Sequence, residues 1–142
     1  MLFYHEDRTP HKFNMRIYVA AISFKGEAKV HWYIYHGGYV GKAIKPWMPM
    51  STEKEAQISR DRAKPFREWE GFDRGFPIML DCVREMLVCT SEKFKPPSSK
   101  AAFELFGTDI MLDDDWRPFL LEVNRSPRVL DMDRPVRPLS FG

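Results

Sequence analysis

The stretch FELFGTDIMLDDDWRPFLLEVN, residues 103–124, holds two carboxylates and an amide that could meet on one surface: Asp109, Glu122 and Asn124. A β-strand sends successive side chains to opposite faces, so the pairing register decides which groups converge. Asp113, Asp114, Asp115, Arg117 and Pro118 are turn chemistry, which leaves FELFGTDIML and PFLLEVN as the arms of an antiparallel pair. A turn centred near Asp115 and Trp116 puts Asp109 opposite Glu122, with Asn124 two residues further along the same face. Like charges directly opposite each other destabilise a sheet, and a cation between them removes that penalty. Two carboxylates and an amide suit a hard ion such as Mg²⁺, which takes few protein ligands and fills its shell with phosphate oxygens. The pattern therefore points to a nucleotide site. The same spacing is also met by acidic residues at a solvated hairpin end.

Other elements must position these groups. KFNMRIYVAAISF reads as a strand in which Lys12, Asn14 and Arg16 share one face, alternating with Phe13, Met15 and Ile17. A Lys-Gly-Glu turn leads to a second strand, AKVHWYIYHGGYV, in which Val30, Trp32 and Ile34 share one parity and Val40 follows a Gly37-Gly38 turn. Ser51 is placed to cap a helix in STEKEAQISRDRAKPFREW. In GFPIMLDCVREMLVCTSEKF the residues Met79, Cys82, Val83, Met86 and Leu87 recur at helical spacing, with Pro77 suited to the first turn. That stripe is core. KPPSSK is a loop, and the proline-rich SPRVLDMDRPVRPLSFG excludes helix or central strand over most of its length.

With 142 residues, 44% hydrophobic and 30% charged, one globular domain is expected. The net charge of +2, with Lys and Arg scattered, argues against nucleic acid as a partner. No apolar run approaches the roughly 20 residues that span a bilayer, and MLFYHEDRTPHK carries charges where a signal peptide is apolar. A soluble, intracellular protein without membrane partners is expected. Cys82 and Cys89, seven apart on a helix and so roughly 10 Å apart along its axis, are too distant for a disulfide and are expected in core packing, in a reducing compartment. His5, His11, His31 and His36 read as surface or satisfied strand residues rather than metal ligands. No Gly-rich phosphate loop or Ser-His-Asp grouping is visible.

KFNMRIYV, the strand ending in YIYHGG, and FELFGTDIMLDDDWRPFLLEVNRSP together resemble the carboxyl-terminal half of the tubulin tyrosine ligase family, a branch of the ATP-grasp ligases. The likeness covers about residues 9 to 137. It implies an α/β (α+β) fold, the ATP-grasp carboxyl-terminal subdomain, with a mainly antiparallel sheet flanked by helices. Residues 1–142 would form a single partial ATP-grasp domain lacking the amino-terminal and central subdomains. By resemblance, Asp109, Glu122 and Asn124 hold Mg²⁺ and ATP phosphates, Lys12 lies near the nucleotide, and Arg16 helps hold the amino acid or the acceptor carboxylate. The implied reaction joins a free amino acid to a carboxylate of a protein such as a tubulin carboxyl-terminal tail, through an acyl phosphate, in a cytoplasmic setting with cytoskeletal or ciliary association. Asn14 stands where much of the family has Asp, and only His36 or Lys42 offers the further basic residue expected after the second strand. A non-catalytic module that binds acidic tubulin tails is the alternative.

Overall fold

The computed structural model describes residues 3–4, 9–57, 64–97 and 99–127. Short strands β1 (Phe3–Tyr4) and β2 (Pro10–His11) pair with each other. The body of the fold is a five-stranded antiparallel sheet in the order β5-β4-β3-β6-β7, built from β3 (Phe13–Ser23), β4 (His31–Lys42), β5 (Lys64–Pro65), β6 (Ala102–Leu112) and β7 (Pro118–Arg125). Helix α2 (Phe72–Thr90) packs on one face; α1 (Lys54–Gln57) is a single turn. This is the mixed α+β fold, an antiparallel sheet with helices beside it, that the sequence predicts.

The alternation of β3 explains the layering. Phe13, Met15, Ile17, Val19 and Ala21 are buried, while the residues between them are only partly covered. Their partners on β6, Phe106, Thr108 and Ile110, continue the buried face, and Phe76, Met79, Leu80, Val83 and Leu87 of α2 close over it. Thr108 pays its polar debt there by donating Oγ1–H to the Ile17 carbonyl at 2.9 Å. The opposite face of the sheet carries Asn14, Arg16 and Tyr18, with Asp109 paired to Arg16.

Several expectations need correction. Gly37-Gly38 is not a turn: both lie inside β4, where the register against β3 shifts between Ile17 and Val19. Gly38 has φ +147°, and a Cβ there would sit 2.0 Å from the Arg16 carbonyl oxygen, so the close approach of the two backbones requires glycine. The long helix begins at Phe72, which puts Pro77 inside it rather than in its first turn. Pro77 and Asp73, whose carbonyl loses its N–H partner to the proline, both lie on the exposed side of the helix. The helix expected from Ser51 is limited to Lys54–Gln57 among the described residues, and Pro65 then continues a strand pair with Tyr39. Residues 58–63 of that expectation, His5, and the tail from 128 onward lie outside the described residues. Both cysteines are free, but Cys89 is exposed rather than in the core. His11 is buried and satisfied, its Nδ1 lying 2.9 Å from the Ala43 carbonyl oxygen. No helix among the described residues is long and apolar enough to cross a membrane.

Candidate functional site

Four residues form a row across four strands. Tyr39 of β4 pairs with Arg16 of β3, Arg16 pairs with Asp109 of β6, and Asp109 pairs with Glu122 of β7. Directly paired residues share a face, so the row lies on the side of the sheet away from α2.

The register at Glu122 depends on a bulge. Next to the turn, Leu112 pairs with Pro118 and Ile110 with Leu120; beyond it, Asp109 pairs with Glu122, leaving Leu121 as the extra residue. Were the register of Ile110 with Leu120 to continue without a bulge, Glu122 would fall opposite Thr108 and emerge on the α2 face. The turn that starts the hairpin is built by Asp113, whose Oδ1 accepts from the backbone N–H of Asp115 at 3.0 Å and of Arg117 at 2.8 Å, and by Trp116 at φ 66°. Asp113 and Asp115 also pair with Arg117, so the acidic run serves the turn. Asn124 pairs with Gly107 and donates Nδ2–H to Glu122 Oε1 at 2.7 Å, which leaves the amide oxygen available to a cation.

Asp109 is held from the other side by Arg16. Arg16 Nε donates to Oδ1 at 2.7 Å and Nη2 to Oδ2 at 2.5 Å, a bidentate pair whose side chains are 14% and 7% exposed. The guanidinium carbon lies 5.7 Å from the centre of the Tyr39 ring, a cation–π contact. Tyr39 in turn meets Tyr18, 6.5 Å between ring centres, and Tyr18 meets Tyr35 at the same distance. Gly107 supplies the lane for the arginine: a Cβ there would lie 2.7 Å from Pro127 Cβ and 3.2 Å from Arg16 Cδ.

Two neighbouring carboxyls are thereby made unequal. Burial pushes Asp109 up; the Arg16 guanidinium pulls it down and a hydrogen bond shared with Glu122 pushes it up again, for a net rise above the ordinary range. Glu122 is held below its ordinary value by its hydrogen bonds to Asn124 and Asp109.

Asp109, Glu122, Asn124 and Arg16 are thus in direct contact. Asn14 pairs with Gly41 one pleat further along β3, and Lys12 precedes the strand by one residue, which puts them roughly 7 and 13 Å from Arg16 along the chain direction. Tyr39, rather than His36 or Lys42, stands against Arg16; the His36 ring packs near Phe76 instead. Tyr39 was not among the residues that sequence reasoning selected, and its only signal is its place on a strand beside the Arg16 strand. Among the described residues no three His, Cys, Asp or Glu side chains gather to hold a metal, and the donor set here has two carboxylates with one amide. Such a set fits Mg²⁺, which completes its shell with water and phosphate, rather than a metal that needs a full protein cage.

Residues 77–139 match the tubulin-tyrosine ligase family, a family-level match in the carboxyl-terminal part of the chain. Among curated relatives, the chain is 45% identical over 51 residues to tubulin monoglycylase TTLL3 of Danio rerio, covering 36% of this chain and 6% of that protein. It is 38% identical over 63 residues to probable tubulin polyglutamylase TTLL2 of Homo sapiens, covering 43% and 10%. It is 60% identical over 30 residues to probable tubulin polyglutamylase TTLL9 of Mus musculus, covering 21% and 6%. The matched stretches span only a tenth or less of these curated proteins.

Proposed function

We infer that the chain is the phosphate- and cation-holding subdomain of an ATP-dependent ligase that joins an amino acid to a protein carboxylate, such as that of a tubulin tail, through an acyl phosphate. The observation that carries this reading is the contact set of Asp109, Glu122 and Asn124 on adjoining positions of β6 and β7. These three residues would hold Mg²⁺, which when bound would neutralise phosphate charge. Arg16, whose fork matches a carboxylate or phosphate, would orient the acceptor or the amino acid. Lys12 would face the nucleotide phosphates and Asn14 would lie beside them. The chain itself corresponds to the carboxyl-terminal part of an ATP-grasp clamp, working in the cytoplasm on cytoskeletal or ciliary tubulin.

Calorimetry of ATP binding with and without Mg²⁺, on the chain and on its Glu122→Gln variant, tests the assignment. Binding is expected to need Mg²⁺ and to be lost in the variant. ATP binding that ignores Mg²⁺, or that survives Glu122→Gln, removes the assignment, and binding of acidic tubulin tails that persists in the variant would favour a non-catalytic module.

A further inference from the structure

Asp109 already has a cation. Arg16 takes both of its oxygens, and Asp109 also shares a hydrogen bond with Glu122. The arrangement is built in from three strands: β3 supplies the arginine, Tyr39 of β4 supports the guanidinium, and Gly107 of β6 leaves room for its arm. If Arg16 were absent, two carboxylates would face each other across β6 and β7 with no guanidinium beside Asp109, an arrangement that a divalent ion would relieve. With Arg16 in place, an ion entering beside Asp109 must approach a like charge in a partly buried site, where screening by water is weak.

We propose that Arg16 and a divalent cation compete for Asp109, so that the site opens to the cation as the guanidinium passes to an incoming oxyanion. This rests on the reading of Asp109, Glu122 and Asn124 as cation ligands. It makes Arg16 the residue that couples the two ligands: an oxyanion that accepts the guanidinium strengthens cation binding, and the cation strengthens oxyanion binding by the same factor. Tyr39 is then a positioning residue, holding Arg16 over Asp109 until the exchange.

Mn²⁺ titration followed by electron paramagnetic resonance, with the metal alone, tests the competition in the chain, in Glu122→Gln, in Arg16→Met, in Arg16→Lys and in Arg16→Met combined with Glu122→Gln. Arg16→Met should bind Mn²⁺ about tenfold more tightly than the unaltered chain. Arg16→Lys, which keeps the charge but loses the fork, should fall between them, and the double variant should lose the gain. Equal or weaker binding by Arg16→Met, with Glu122-dependent binding in both proteins, overturns the competition and leaves the cation site standing. No Mn²⁺ binding by either folded protein overturns both. The unaltered chain gives an independent readout, should Arg16→Met not fold: the Arg16 Nε–H resonance, protected by its bond to Asp109, should lose protection as Mg²⁺ is added. A resonance unmoved while Mg²⁺ binds overturns the proposal.

Discussion

At the scale of single residues, the feature with most consequence is the inequality of two adjacent carboxyls. In free peptides Asp is a stronger acid than Glu, at about 3.9 against about 4.3. Here burial raises Asp109 and hydrogen bonds lower Glu122, so each is expected to move toward the other. Carboxyl carbon NMR across pH 2 to 7 checks this, and an Asp109 midpoint at or below the ordinary aspartate value would rule it out. The two groups also act on stability in opposite directions. Glu122, depressed in the folded chain, adds stability that is present above the ordinary glutamate range and is lost as pH falls through its folded value. Asp109, raised, adds stability that is present below the ordinary aspartate range and is lost as pH rises through its folded value. Replacing Glu122 by Gln should therefore remove the first contribution and weaken the acid limb of the stability profile. The residue types at this site were legible from sequence, since a hairpin with Asp and Glu at paired positions already suggests a cation. That Arg16 would hold Asp109 from the β3 side was not, because residues 16 and 109 lie 93 apart and meet only through the pairing of β3 with β6.

At the scale of elements, two irregularities set the site. The bulge at Leu121 turns Glu122 toward Asp109, and the register shift in β4 places Tyr39 against Arg16. Both are local departures from a period of two, and periodicity read from sequence passes over them. Gly38 is where the second becomes testable. At φ +147°, with its Cβ position 2.0 Å from the Arg16 carbonyl oxygen, Gly38→Ala should destabilise the fold by more than about 1 kcal/mol, measured by urea denaturation. An unchanged midpoint would mean that the β3–β4 pairing tolerates a side chain there. The expected Gly37-Gly38 turn failed for a related reason. Paired glycines are turn signals, but here Gly38 accommodates a close approach of β3 and Gly37 makes room for the Tyr35 ring within a continuous β4.

At the scale of the whole molecule, one face of the sheet is closed by α2 and the other is open. The open side and the β7 edge expose Tyr33, Tyr35, Phe103, Phe119, Leu121 and Val123. An exposed apolar edge strand is a template for association. Leu121→Lys should accordingly reduce concentration-dependent self-association in sedimentation velocity, whereas association undiminished by the charge would locate the contact elsewhere. The sequence by itself determined the two-layer plan, because the strict alternation of Phe13 through Ala21 and the 3.6-residue spacing of Met79, Val83 and Leu87 each specify a buried face. It also determined which side chains had the chemistry for a cation site, since hard oxygen ligands come from few residue types. Only the tertiary structure decided how those groups meet. The Leu121 bulge, the Tyr39–Arg16–Asp109–Glu122 row and the position of Pro77 within α2 depend on non-local pairing and on where a helix starts. Those are settled by how separate elements pack, and a one-residue difference in register reverses the face on which a side chain emerges.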